Sequence, residues 1–228
     1  MALSASAVKW VLKPIVFAGG LAPLLWLIWE GLTGRLSANP LSDITNETGI
    51  WSLRLLCVTL AITPLRKVTG WHPLIRFRRM SGLFAFFYGS LHFLIYVIAD
   101  RFAGLDFTGG MFTWATAGNL VVSVAEDIYK RPFITIGFLT LVMLLPLAIT
   151  STAGMIRRLG GKRWQLLHKL TYVAVVTAVF HYWWLVKADV TSPRYYALIA
   201  AALLAVRLWW AKERLLTPAQ ARVSRQTS

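Results

Sequence analysis

The sequence predicts an all-α polytopic membrane protein, a six-transmembrane-helix bundle with its N and C termini cytoplasmic. Three observations predict it. Of 228 residues, 57% are hydrophobic and 14% charged, with a mean hydropathy of +0.60, against an apolar share of about 45–50% in soluble domains. At least five stretches of roughly 17 residues or more carry almost no charge, long enough to cross a ~30 Å hydrocarbon core as a helix. The cations behind the net charge of +15 fall between those stretches, where cytoplasmic loops retain Lys and Arg. That placement argues against nucleic acid as a partner, because no soluble domain carries a basic face.

The spans read in order as about 10–29, 50–65, 81–99, 133–152, 165–186 and 195–211, within one domain covering 1–228. The first follows Lys9 and Lys13 but carries Trp26 and Trp29 and lacks a convincing cleavage site, so it reads as a retained helix rather than a secretory signal. The second is the shortest, from Gly49 to Pro64, and carries Arg54 one turn inside, where a long side chain can snorkel outward. Between Ala99 and Lys130 lies the longest loop, whose apolar run Met111 to Val124 suits an amphipathic helix at the membrane surface and a docking place for an external partner. Residues 217–228 are polar and expected to be a disordered tail.

Loop charges set the orientation. Arg66, Lys67, Arg76, Arg78 and Arg79 share one loop, Arg157, Arg158, Lys162 and Arg163 another, and Lys212, Arg214, Arg222 and Arg225 the C-terminal segment. Six crossings place all three on the cytoplasmic side. The alternate loops hold Asp43, Glu47, Asp100, Asp106, Glu126, Asp127 and Asp189. Tryptophans such as Trp51, Trp164 and Trp209 gather near span ends, as interfacial anchors do. With one cysteine, Cys57, the chain has no internal disulfide, CxxC pair or cysteine zinc site. Redox chemistry would need a bound cofactor.

Of the four histidines, His92, His168 and His181 fall within predicted spans, where ionisable groups are costly and face a cavity, a partner or a cofactor. Neutral imidazole suits axial ligation of haem iron, and apolar helices supply a flat slot. The third and fifth spans run in the same direction. His92 lies about seven residues before the outer end of its span and His181 about five, so at ~1.5 Å per residue they share a depth and could clamp one iron. His168 stands 13 positions before His181, about 20 Å nearer the cytoplasm. At ~100° per residue a straight helix would turn it about 220° away from His181. Fourteen positions back from His92 stands Arg78 rather than a histidine. Arg78, Arg79 and His168 form a lower site suited to haem propionates, a quinone carbonyl or a flavin phosphate, with the choice open. His72, in Gly70-Trp71-His72-Pro73, reads as a solvated or interfacial side chain. A transporter or channel using these histidines for protons or metal is the competing reading, and the lack of paired intramembrane carboxylates counts against proton coupling.

The run Arg78-Arg79-Met80-Ser81-Gly82-Leu83 and Tyr88-Gly89-Ser90-Leu91-His92, with Trp164-Gln165-Leu166-Leu167-His168-Lys169-Leu170-Thr171-Tyr172 and His181-Tyr182, resembles the MsrQ (YedZ) family. That family lies in the ferric reductase-like transmembrane superfamily. The resemblance implies a haem-binding subunit of a bacterial inner membrane that passes electrons from membrane quinone to MsrP, a periplasmic molybdopterin partner that carries the catalytic site and repairs oxidised methionines. It implies haem b and FMN as cofactors, and His92, His168 and His181 as haem ligands. It also places Arg78 where two-haem relatives have a second histidine. The chain has no GxGxxG loop or nucleotide-binding domain, so NAD(P)H is not expected to serve it directly.

Overall fold

The structure is a computed structural model that describes residues 8–98, 114–186 and 190–226, and every regular element among them is helical. A π-helical turn, Val8–Leu12, leads into α1, Lys13–Leu32. Helix α2 is Pro40–Thr69 and, after a short 3-10 turn His72–Leu74, α3 is Ile75–Ile95. Then follow α4, Trp114–Lys130; α5, Pro132–Ile149; α6, Ala153–Leu159; α7, Gly161–Leu167; α8, Leu170–Leu185; and α9, Thr191–Gln226. Among the described residues five segments are long and apolar enough to cross a membrane: Trp10–Leu32, Pro40–Thr69, His72–Ile98, Pro132–Ile149 and Thr191–Glu213. Leu25, Ile28, Val142, Leu145, Leu198 and Leu208 point outward, as side chains do when lipid is the solvent.

The third span starts at Ile75 rather than near 81, so Arg76, Arg78 and Arg79, expected in a loop, lie in the first turns of α3; three further shifts have local reasons. The second span extends to all 30 residues of α2. Asn39 caps it, its Oδ1 accepting from Ser42 N at 3.2 Å, Pro40 fits the first turn, and Gly70 ends it at φ +68° in the left-handed region. The fifth expected span, 165–186, is not one straight helix. It breaks at His168 and Lys169 into α7 and α8, and α8 alone, with 16 residues, measures only about 24 Å. Finally, α9 runs on to Gln226 through most of the segment expected to be disordered, in keeping with helix formers such as Leu215, Leu216, Ala219 and Ala221. Within the run Met111 to Val124 the structure has a helix, α4, from Trp114, whereas Met111 to Thr113 lie outside the described residues.

Helices α2 and α3 pack antiparallel along their lengths, and α5 and α8 form a second such pair. Leu53, Leu56, Cys57 and Leu60 of α2 meet Ala85 of α3, Leu144 and Leu147 of α5, and Ala174 and Val175 of α8 in the core. The Thr59 and Thr140 hydroxyls bond their own helices, at Leu55 O and Ile136 O, which removes the cost of a bare donor in an apolar setting. Outside the four, α1 lies against α3. The buried Tyr88 hydroxyl donates to Gly20 O at 2.9 Å and accepts from Leu24 N at 3.1 Å, opening the α1 ladder beside Pro23.

Helix α9 is tied on by arginines. Pro64 has no N–H, so the Leu60 carbonyl four residues earlier loses its helical donor. Arg207 Nη2 supplies one at 2.5 Å, and its Nη1 donates to the Tyr172 hydroxyl at 3.0 Å. Arg54, expected to snorkel, instead donates to the Tyr196 hydroxyl at 2.8 Å and lies over the Trp51 ring. Replacing Arg207 with Leu would strand the buried Leu60 carbonyl, at a cost of about 1–3 kcal/mol, and leave the half-buried Tyr172 hydroxyl without this donor. Arg207→Leu is therefore expected to unfold at lower temperature in detergent than the parent chain. An unchanged melting temperature would remove Arg207 from the ties that hold α9.

Candidate functional site

The two helix pairs enclose a cavity of about 380 Å³ with His92 on one wall and His181 on the other, within the usual ~300–1,000 Å³ of ligand pockets. Its walls are mainly apolar, including Ile50, Leu53, Phe93, Ile134, Phe138 and Leu141. The imidazole centres stand 6.2 Å apart with ring planes at 79°. Two imidazoles on opposite sides of one metal, with bonds of about 2 Å and the nitrogen about 1 Å from its ring centre, stand about 6 Å apart. The observed spacing fits one metal between them.

Each histidine is held in the same way by its partner helix. His92 Nδ1 lies 2.8 Å from Thr45 O, and His181 Nδ1 lies 2.7 Å from Phe133 O. A carbonyl only accepts, so Nδ1 carries the proton in both rings and Nε2 keeps its lone pair for a metal. Four residues after each carbonyl comes a glycine, Gly49 or Gly137. A Cβ at Gly49 would lie 2.9 Å from His92 Nδ1, and one at Gly137 would lie 2.7 Å from His181 Cε1. Only glycine admits the rings this close. Three residues further stand hydroxyls, Ser52 and Thr140, which reach across within their own pairs to Ala85 O and Thr177 Oγ1, both at 2.8 Å. The two hairpins thus build one device twice, although the sequence shows no internal repeat.

Below it lies a second cavity of about 240 Å³, lined by Arg78, Arg79, Gly82, Ser151, Trp164, His168 and Thr171 among others. Leu144 lines both cavities. The structure therefore brings together Arg78, Arg79 and His168, the residues of the expected lower site. The straight-helix geometry that turned His168 about 220° from His181 does not hold, because the break at His168 and Lys169 resets the helical phase and both histidines line cavities formed with α2, α3 and α5. His168 Nε2 lies 3.2 Å from the Thr150 hydroxyl. Trp164 stacks on the His168 ring at 4.0 Å and donates to Thr150 O at 2.9 Å, so it is part of a site rather than only an interfacial anchor. His72 is exposed in its short turn and lines neither cavity.

At the other end of the molecule, α4 is fastened over the first cavity. The nearly buried Asp127 takes the Tyr96 hydroxyl and pairs with Arg131 Nε at 3.4 Å. Tyr96 and Arg131 both line that cavity. Two imidazoles facing each other across an apolar cavity suit a metal whose other ligands come from a macrocycle.

Residues 48–179 match the family described as ferric reductase like transmembrane component. The protein-methionine-sulfoxide reductase heme-binding subunit MsrQ of Ralstonia nicotianae is 50% identical, covering 83% of this chain and 81% of that protein. The subunit of the same name from Herminiimonas arsenicoxydans is 46% identical over 90% and 87% of the two chains. That from Xanthomonas euvesicatoria pv. vesicatoria is 45% identical over 86% and 85%. With paired histidines inside an apolar helical bundle and likeness of this extent, the chain belongs to the MsrQ family, within the ferric reductase like transmembrane component family.

Proposed function

We propose that this chain is the haem-binding membrane subunit of a methionine sulfoxide reductase system, carrying electrons through its bundle to a catalytic partner of MsrP type. The observation that carries the reading is the His92–His181 pair, 6.2 Å between ring centres, with both Nε2 atoms left for iron. Haem b, when bound there, supplies one-electron cycling between ferric and ferrous iron. The chain's own contribution is to fix both rings from behind, through Thr45 O and Phe133 O, and to keep water from the ring with Ile50, Phe93, Ile134, Phe138 and Leu141.

The second cavity takes a smaller redox ring, a membrane quinone or the FMN flavin. Three features support this: its volume of about 240 Å³, an arginine rather than a histidine on α3, and a His168 Nε2 already facing Thr150. Arg78, Arg79 and His168 would hold the carbonyl or phosphate oxygens. Electrons enter there and pass toward the first cavity around Leu144. In this reading α7 and α8 together make a sixth crossing, both termini are cytoplasmic, and the chain sits in a bacterial inner membrane with its acidic loops toward the periplasmic partner. Methionine sulfoxide is reduced on that partner.

Protein in lipid nanodiscs is expected to contain one b-type haem per chain that a quinol reduces. The periplasmic partner with methionine sulfoxide should then reoxidise it. Absence of haem, or reduced haem that the partner and its substrate leave untouched, would overturn the proposal.

A further inference from the structure

The paired histidines fix where iron would sit but not which way the ring is turned about the His–iron–His axis. Haem is apolar except along the edge that carries its two propionates, and unpaired carboxylates are costly inside an apolar bundle. Apart from its histidines, the first cavity has among the described residues a single ionisable cation in its lining, Arg131. Arg131 immediately precedes α5 and stands two residues before Phe133, whose carbonyl holds His181. Thr45 and Asn46, early in α2, and Tyr96, just after α3, line the same end of the cavity. Deeper hydroxyls are already used, Ser52 on Ala85 O and Thr140 on Ile136 O. The cavity is apolar along most of its walls and polar at one end.

Arg131 is also steered. Asp127 lies 3.4 Å from its Nε and does not itself line the cavity, and the guanidinium carries two further nitrogens able to make a bidentate bond to a carboxylate. Asp127, 7% exposed and bonded by Tyr96, is the acidic group in contact with this guanidinium. We infer that Arg131, oriented by Asp127, is the docking cation for a haem propionate, so that the polar edge of the haem faces the end of the bundle covered by α4. The inference rests on the haem reading above and adds its orientation. Arg78 and Arg79, which the sequence offers to haem propionates, a quinone carbonyl or a flavin phosphate alike, line the other cavity and are left to the second ring.

The test is haem uptake by the full-length apo-protein, titrated with haem b and with its dimethyl ester, in which the propionates are uncharged. The parent chain is expected to prefer haem b. Arg131→Gln should lose at least tenfold in affinity for haem b while binding the diester as the parent does, both with the six-coordinate bis-imidazole spectrum. Asp127→Asn breaks the same ion pair but keeps the cation, and should retain the preference for haem b. Equal loss for both ligands in Arg131→Gln would make Arg131 a structural tie and overturn the inference, as would no loss for either. If Arg131→Gln does not accumulate, Arg131→Lys takes its place. It should keep part of the preference for haem b, and a variant showing none would overturn the inference. A parent chain with a bis-imidazole haem but no preference between the ligands also overturns it, whereas a parent chain that takes up neither ligand removes the haem reading itself.

Discussion

His92→Ala and His181→Ala are each expected to abolish the six-coordinate spectrum of bound haem and to weaken haem binding by roughly 100-fold or more, beyond the 10- to 100-fold typical of losing an outer-shell partner. The two rings come from different helix pairs and share one gap, with 6.2 Å between centres. Removing either leaves one imidazole facing a largely apolar hole, since Ile50, Phe93, Ile134 and Phe138 make up much of the wall. His168→Ala is the internal control and should leave that spectrum in place, because His168 lines the other cavity. Visible and electron paramagnetic resonance spectra of the purified variants decide the matter. A full spectrum in either first-cavity variant would remove the axial assignment.

Gly137→Val should come close to the same phenotype without touching a ligand. Even a single Cβ at this position meets the His181 ring at 2.7 Å and its Nδ1 at 2.8 Å, closer than real contacts allow, and the ring cannot retreat without giving up Phe133 O. A main-chain carbonyl cannot be deleted by changing its side chain, so the glycine four residues later is the handle on that bond. Losing the hydrogen-bond acceptor behind a metal-bound histidine typically costs 10- to 100-fold in affinity, and displacement of the ring adds to this. Gly49→Val should act alike on His92, whose Nδ1 lies 2.9 Å from a Cβ there. Gly19 of α1 has open space around it, so Gly19→Ala should leave haem uptake unchanged. Haem titration of the four proteins, parent included, tests this. Equal uptake by parent and Gly137→Val would show that the close packing does not set the ring position.

Helical class and the His92–His181 pairing were legible because each depends on local regularities, apolar run length and rise per residue. Arg78, Arg79 and His168 were legible as a group for the same reason, since they share a depth near one end of their helices. The break at His168 and Lys169 was not, because Leu167-His168-Lys169-Leu170 contains no Pro or Gly to mark it. The place of Trp164 on His168 followed from that break and was hidden with it. Arg207 was equally hidden: Pro64 announces an orphaned carbonyl at Leu60, but only tertiary packing says which donor reaches it. Gly49 and Gly137 did leave a trace. A glycine inside a helix costs about 1 kcal/mol relative to alanine, which draws attention to each one in an apolar span, but the sequence does not separate Gly49 and Gly137 from Gly19, which has open space around it.

The hairpin origin of the two histidines has a consequence for biogenesis. Helices α2 and α3 precede α5 and α8 in the chain, so on leaving the ribosome the first half of the clamp waits, complete with its own carbonyl and glycine, for the second. A prosthetic group gripped by both halves is a cross-link between two separately inserted units, and at a thousand times its dissociation constant it adds about 4 kcal/mol to their association. Cofactor supply then acts as a checkpoint on assembly: chains made under haem starvation should have loosely joined halves and be cleared by membrane proteases faster than chains that were filled.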